Sequence, residues 1–472
     1  MGSTFHGLEL GKRGLFAQQT ALSTTGHNIA NANTAGYTRQ RAEMQATNAI
    51  PQPGMQTDRS PAQLGTGVEV NKLVRLREEY LDVQLRGENK NLGYWEAKSD
   101  TLSKIEELLN EPSDTGLAFV MDEFWKGWQE LSKNPDSAAA RAVVKQKGIA
   151  VTETFKYITD ALSQMKTDLV TVVKTKGDEI QSIADQIGKL NDQISRLVPH
   201  NYEPNDLYDQ RDVLLDRLSK LVDVNVSPAA NGMINVSIGG KELIAGKTVN
   251  SFSVYNPVTG EVTPPQINNA DINLVSGELF GRLEAYNKVI PDIETKINKL
   301  AEVFKDSVNT VHKSGFDLDG NPGVDFFSGT NATNLNVNAV IMTSLNAIAA
   351  AKKDSDGAFS TGNGKNAQDI AAIKFNNSLD FNGTKSTADD FYRNIIGQLG
   401  IDSQESQRMY DNSQIIINQV ENRRQSVSGV SIDEEMANMI KFQQAYNAAA
   451  RVVTVMDQCL EKIINGMGRV GL

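Results

Sequence analysis

Apolar positions along this chain recur mostly at helical spacing, and in a few stretches the period shortens to two. Leu8, Leu15, Leu22 and Ile29 stand seven residues apart, while Gly11, Gln18 and Thr25 between them are small or polar. That pattern predicts a first helix with a thin apolar ridge, too narrow to form a core alone. Residues 32–66 are rich in Gly, Pro, Asn and Thr and read as irregular, and "GVEVNKLV" at 67–74 then alternates like a short strand. A second helix places Leu81, Leu85, Leu92, Trp95, Leu102, Ile105 and Leu109 on one stripe before "NEPSD" interrupts it. A shorter helix carries Phe124, Trp128 and Leu131, and Asn134-Pro135 reads as the start of the next.

The longest signal runs over 136–197. Val151, Phe155, Ile158, Leu162, Met165, Leu169 and Val172 step by four and three; after a phase skip near Gly177 the rule resumes at Ile180, Ile183, Ile187, Leu190, Ile194 and Leu197. Such a run predicts a helix of roughly 90 Å with a left-handed, coiled-coil-like seam. Beyond the "VPHNYEPND" loop, Leu207, Leu214, Leu218 and Leu221 mark a returning helix. "VDVNV", "MINVSI" and "SFSVY" then alternate at period two and predict a β-rich module. Helical spacing resumes at Leu279, Leu283, Tyr286, Ile290, Ile293, Ile297, Leu300 and Phe304, with Pro291 as an expected kink. Residues 315–385, rich in Gly, Asn and Asp, are assigned to the same β-rich module. A last helical zone starts near Thr387 and pauses at "SVSGVS".

The final helix is well marked. Ser431 and Glu434 have capping-box spacing, and Phe442, Tyr446, Ala449, Val453, Met456, Leu460, Ile463 and Met467 follow in four-three steps. Neither terminal helix carries enough apolar surface to stand alone, so the two are expected to pair with each other, with copies of themselves, or with both. The fold class expected is mainly α with a β-rich outer domain: paired terminal amphipathic helices, an elongated helical-bundle rod and an inserted β lobe. The boundaries read as 1–35 with 430–472 for the terminal pair, 36–221, 276–315 and 381–429 for the rod, and 222–275 with 316–380 for the lobe.

Composition narrows the function. With 39% hydrophobic and only 6% aromatic residues, the 472-residue chain suits slender helices better than a thick globule. A net charge of −11 argues against nucleic acid or an anionic membrane as main partner. A lone cysteine, Cys459, excludes an intramolecular disulfide framework, and it reads as a small packing residue. No apolar run is long enough to span a membrane, and the start has no apolar core or cleavage site of a secretory signal. His6 stands where a myristoylation motif needs Ser or Thr. His6, His27, His200 and His312 lack metal-ligand spacing. "DLDGNPGVDFF" imitates a calcium loop at Asp317, Asp319 and Asn321, but Pro322 replaces the required glycine and Ser328 the bidentate glutamate; it reads as a turn. "GNGK" at 362–365 lacks phosphate-loop spacing, and "DQRD" at 209–212 reads as a salt-bridged or solvated helix face. No nucleophile, base and oxyanion site come together, so no catalytic residue, metal ligand or cofactor is assigned.

One motif remains. "TTGHNIANANTAGYTRQR" at 24–41 resembles the N-terminal signature of bacterial flagellar axial proteins, the rod, hook and hook-associated family. Its "GYTRQR" is most similar to hook-associated members at the hook–filament joint, since rod and hook members more often place Phe after the glycine. "NDLYDQRDVLLDRLS" at 205–219, "HKSGFDLDGNPGVDFF" at 312–327 and "SGVSIDEEMANMIKFQQAYNAAARVV" at 428–453 extend the likeness along the whole chain. The resemblance implies a structural role without chemistry: export through the flagellar type III channel without a cleaved signal, an extracellular location, and helical self-assembly with both terminal helices lining the tube. Hook protein, hook-associated protein 3 and an export chaperone are the partners it implies, with no nucleic acid and no membrane insertion. Larger members carry an additional outer insertion, of which this chain has little. Alternatives are another axial protein (hook protein or hook-associated protein 3), a secreted helical adhesin or signalling coiled coil, or a metal-dependent enzyme displayed on the flagellum.

Asn31, Asn33 and Gly36 are expected to accept left-handed backbone and cap a helix end, and Ala30, Ala32 and Ala35 to allow close approach of neighbouring chains. The assembly interface is therefore assigned to Leu8, Leu15, Leu22, Ile29, Asn28, Asn31, Asn33, Gly36, Tyr37, Phe442, Tyr446, Val453, Met456, Leu460 and Ile463.

Overall fold

The computed structural model describes residues 5–50, 64–353 and 360–466; the expected seam position Met467 and part of the irregular stretch 32–66 lie outside them. Helix α1 (His6–Ala30) leads into an antiparallel pair, β1 (Gln40–Ala46) and β2 (Val68–Arg75). Helices α2 (Glu79–Leu109), α3 (Leu117–Lys133), α4 (Ala138–Leu197) and α5 (Asn205–Leu221) follow. Strands β3 (Val224–Pro228), β4 (Ile234–Ile238), β5 (Lys241–Ala245) and β6 (Thr248–Val249) form one antiparallel sheet in chain order, and β7 (Phe252–Tyr255), β8 (Val262–Ile267) and β9 (Ala270–Asp271) a second. Helix α6 (Glu278–Glu284) passes through a π-turn at Ala285–Val289 into α7 (Ile290–Lys313). Short pieces come next: β10 (Phe327–Ser328), β11 (Asn336–Val337), α8 (Ala339–Thr343), α9 (Lys365–Ala372), β12 (Leu379–Phe381) and β13 (Thr384–Ser386). Two long helices, α10 (Ala388–Ser428) and α11 (Ile432–Gly466), close the chain. The chain is mainly helical with a β-rich insertion, as the change of period predicts.

Local chemistry sets the boundaries. Ser137 caps α4 by accepting the Ala140 N–H at 3.3 Å, so the helix starts after the Asn134-Pro135 turn rather than at it. Thr387 caps α10 through the Asp390 N–H at 3.0 Å. Pro291 has no N–H to give, and the expected kink takes the form of the π-turn immediately before it. Strand β1 was not expected, because "QRAEMQA" is too polar to alternate visibly; pairing with β2 makes it a strand.

Two apolar cores lie along α4. One gathers Phe124, Trp128, Phe155, Ile158, Leu162, Phe304, Phe326 and Tyr392 from α3, the first half of α4, α7, α10 and the segment before β10. The other joins Val173, Ile180, Ile183 and Ile187 of α4 to α5, α6 and the two sheets. Here the expected lobe divides. Residues 222–275 pack on the far half of α4, whereas 316–380 feed Phe326, Phe327, Val337, Ile341, Ile348 and Ile370 into the aromatic core. The Asn- and Gly-rich surroundings of those residues disguise a core segment as loop. Glycine marks both dockings: a Cβ at Gly148 would lie 2.8 Å from Phe326, and one at Gly177 2.6 Å from Val254. Helices α2 and α10 pack antiparallel along the side, with Ser99 donating to Gln407 at 2.9 Å and Ser403 to Glu106 at 2.7 Å. Neither core contains a residue of α1 or α11.

Candidate functional site

The chain ends meet. Helices α1 and α11 pack along each other, with small residues at the closest approach: a Cβ on Gly7 would lie 2.7 Å from Met456, and one on Gly11 2.7 Å from Val453; at Gly14 it would sit 3.5 Å from Ala449. The register runs antiparallel. Gly11, Ala17, Ala21, Thr25 and Asn28 are buried on α1. This corrects the ridge reading. Leu8, Leu15, Leu22 and Ile29 are only half-buried, whereas of the sites judged weak Thr25 is buried and Gly11 lies against Val453, its missing side chain letting the two backbones approach. On α11, Phe442, Tyr446, Val453, Met456 and Leu460 are half-buried, whereas Ile463 is 41% exposed.

At the base of this pair sits the 26–41 motif, and Asn28 is its hub. Its side chain is 1% exposed and makes four hydrogen bonds. The amide donates to the Gln40 carbonyl at 2.8 Å and to Glu435 Oε2 at 3.0 Å; Oδ1 accepts from the Gln40 N–H at 3.0 Å and the Tyr37 hydroxyl at 2.8 Å. One amide thus ties the end of α1, the start of β1 and the first turn of α11. Arg39 adds a second tie, reaching Glu434 at 2.6 Å and Glu435 at 2.7 Å, while its backbone N–H donates to the Ser428 carbonyl at 2.9 Å. Glu434 was read as a capping residue. Its N–H is a long 3.5 Å from Ser431 Oγ, and its carboxylate belongs to Arg39.

Asn31 caps α1 by donating from its side chain to the His27 carbonyl at 3.1 Å, but at φ −103° it is not left-handed. Asn33 is not left-handed either. Of the three expected positions only Gly36, at φ +79°, occupies that region, and a Cβ there would lie 2.1 Å from Val213. Asn33, Thr34, Ala35 and Gly36 form an exposed loop. Tyr37 turns inward against His27, rings 5.5 Å apart and edge-on; burial, with Asp206, Asp209 and Glu435 nearby, pushes its hydroxyl well above the usual tyrosine range.

The joint rests on the "DQRD" helix. The Thr38 N–H donates to Asp209 at 2.8 Å, and Gln40 donates to Asp206 at 2.8 Å. Arg75 pairs with Asp209 at 2.9 Å and with Asp212 at 2.8 Å; Arg77 pairs with Asp82 at 2.5 Å, Arg86 with Asp216 at 2.9 Å and Arg424 with Asp216 at 2.6 Å. Burial would raise Asp212, but Arg77, Arg75 and Arg86 outweigh it and hold its carboxyl below the usual range. Burial raises Asp209 despite the Thr38 and Arg75 contacts. Arg211 leaves the network, donating to Asn191 at 3.0 Å and the Gly232 carbonyl at 2.8 Å, and locks α4, α5 and the first sheet together. Sequence reasoning missed Arg39, Gln40, Asp206 and Glu435. Arg39 and Gln40 stood inside the quoted motif, but nothing in spacing said that the carboxylates of Arg39 lie some 400 residues away, or that Gln40 reaches Asp206 across 166 residues.

Elsewhere the acidic turn is a turn: Asp317 accepts the N–H groups of Asp319 at 2.9 Å and Asn321 at 2.7 Å. Among the described residues no group of three His, Cys, Asp or Glu side chains is arranged to hold a metal, and no helix is long and apolar enough to cross a membrane.

Paired chain ends on a polar joint are carried by a long helical rod, and the profiles that match those ends place the chain in the flagellar axial class. The family profile "Flagella basal body rod protein" matches residues 8–38, and "Flagellar basal body rod FlgEFG protein C-terminal" matches 421–466, the two halves of the terminal pair. "Flagellar hook-associated protein FlgK helical domain" matches 102–327. Flagellar hook-associated protein 1 of Bacillus subtilis is 38% identical, covering 99% of both chains, and that of Escherichia coli 26% identical over 96% of this chain and 98% of its own. The flagellar hook junction protein FlgK of Burkholderia pseudomallei shares the fold, with a TM-score of 0.62 over 73% of this chain and 100% of that one at 15% identity. The chain belongs to the flagellar hook-associated protein 1 family, a family of flagellar structural proteins.

Proposed function

We propose that the chain forms the junction between hook and filament, copies of it joining in a helical ring whose inner wall is the α1–α11 pair. In this reading 1–35 and 430–472 build the tube and the helices from α2 to α10 the outer rod. Hook protein and hook-associated protein 3 are the axial neighbours. An export chaperone accompanies the chain to the type III channel, and it leaves the cell without a cleaved signal to reside on the extracellular flagellum. Nothing in this role asks for a catalytic step or cofactor.

The observation that carries the reading is the terminal pair itself. Two helices from opposite ends of the chain are joined to each other and to the rod by polar ties. They still expose Phe5, Phe16, Ile432, Met436, Ile440, Val455 and Ile464. So many exposed large apolar side chains on one helix pair fit an interaction face. The half-buried residues of the pair, from Leu8 to Ile29 and from Phe442 to Leu460, would complete their burial between copies. Deleting the gene tests the reading: electron microscopy should show hooks without filaments, with filament subunits lost to the medium. Motile cells bearing normal filaments would overturn it.

A further inference from the structure

Two surfaces beside the joint are unused within one copy. The first is a stripe on the opening turns of α11. Ile432, Met436 and Ile440 stand four residues apart on one helix face and are 49%, 51% and 60% exposed. The contacts with α1 use other positions of the helix, Glu435 in the first turn and Ala449, Val453 and Met456 further along. The second is a cleft of about 580 Å³ between the exposed signature loop and the α4–α5 pair, with Tyr37, Leu190, Val213 and Leu214 in its lining. Arg39 and Asn28 hold the first turn of α11 at the joint, so the stripe stands beside the cleft of its own copy without filling it.

Charge sets the polarity of a contact between them. Among the described residues, Lys189 on the cleft rim is exposed without a carboxylate partner, and Asp433 next to the stripe is exposed without a cation. Their neighbours are already engaged, Glu434 and Glu435 by Arg39, Asp209 by Arg75 and Asp206 by Gln40. Because stripe and cleft are different patches, a contact between them is heterologous and passes from copy to copy around a ring. An amphipathic helix with anchors four residues apart seated in an apolar groove is a recurrent mode of recognition.

We infer that Ile432, Met436 and Ile440 of one copy seat in the cleft of the next, with Asp433 against Lys189 of that neighbour. This rests on the axial reading above and names the face by which one copy meets the next. The test uses two full-length chains, both Cys459→Ser, one carrying Lys189→Cys and the other Asp433→Cys. They are expressed together in cells lacking the native chain. After mild oxidation of isolated flagella, a disulfide-linked pair of the two chains is expected on a non-reducing gel. A control pairing Asp433→Cys with Tyr157→Cys, an exposed rod position, should give none. Charge reversal gives a second readout: Lys189→Glu and Asp433→Lys should each reduce motility, and the double variant should restore it. Flagella that hold both chains yet yield no 189–433 disulfide, or as much as the control, overturn the inference and leave the axial reading standing. So does a disulfide from residue 433 to a different flagellar protein. Absence of both chains from flagella overturns the axial reading and the inference with it.

Discussion

Between α3 and α7 the rod buries Phe124, Trp128, Phe304 and Phe326 in contact with one another, whereas α1 and α11 meet through Gly7, Gly11 and Gly14. The rod gains its stability from apolar area removed from water within one copy. The terminal pair has little such area and is located instead by hydrogen bonds and ion pairs at Asn28 and Arg39, which fix geometry more than they add free energy. A unit of the second kind is well placed to complete itself by assembly. It is also free to remain weakly held before assembly.

The contrast is testable by breaking each side in turn. Phe124→Ala should remove about 3–5 kcal/mol from the rod, read as a lower urea midpoint for the whole helical signal. A loss below about 1 kcal/mol would mean that the aromatic core does not dominate.

The rod should also be sensitive to acid through one buried histidine. His312 is buried, donates from Nδ1 to the Val324 carbonyl and accepts the Ala349 N–H on Nε2 at 2.9 Å; burial lowers it from 6.5 to about 4. Between those values the unfolded chain binds a proton that the native state refuses, so stability falls as pH drops from 6.5 towards 4. The total is about 3 kcal/mol. Above 6.5 both states are neutral and the group contributes no slope. Urea unfolding at pH 7 and pH 5 should show the loss in the native chain and a smaller one in His312→Gln; equal slopes would remove His312 from the account.

A smaller and local effect is expected at the joint. Asn28→Ala leaves the Gln40 backbone groups and Glu435 short of partners, costing about 1–3 kcal/mol. Hydrogen exchange should quicken in α11 and at the end of α1 while α3 and α7 keep their protection. Global destabilisation instead would merge the two regions into one cooperative unit. The most local change belongs to Arg39→Gln, which frees the exposed Glu434 at a cost under about 1 kcal/mol and leaves the buried Glu435 with the Asn28 amide alone, detected as faster exchange at Glu434 and Glu435 and weaker dependence on salt. A substitution without any local signature would show that Asn28 alone sets the joint.

Much of this was readable from the chain. The steps of four and three over 151–197 define α4 because a helix that must bury one face can do so only at that period, and Ser431, Thr387 and Pro291 mark their boundaries by local chemistry. The signature at 24–41 announced both family and joint. Three things were not readable. Strand β1 has no apolar alternation and exists because β2 pairs with it. Residues 316–380 look like β-rich loop, yet Phe326 and Phe327 enter the aromatic core. At the first helix the ridge of Leu8, Leu15, Leu22 and Ile29 drew attention from the small residues that make the contact.

The sequence by itself determined which segments are helical, that the ends must find a partner, and that the chain is a flagellar axial protein. Those properties are written in local periodicity and in a contiguous motif. Only the tertiary structure decided that the ends find each other, with Gly11 against Val453, and that Asn28 and Arg39 hold Glu434 and Glu435 from some 400 residues away. A hydrogen bond depends on positions in space that no local spacing encodes, and a glycine announces a close approach only once the neighbour that needs the room is in place.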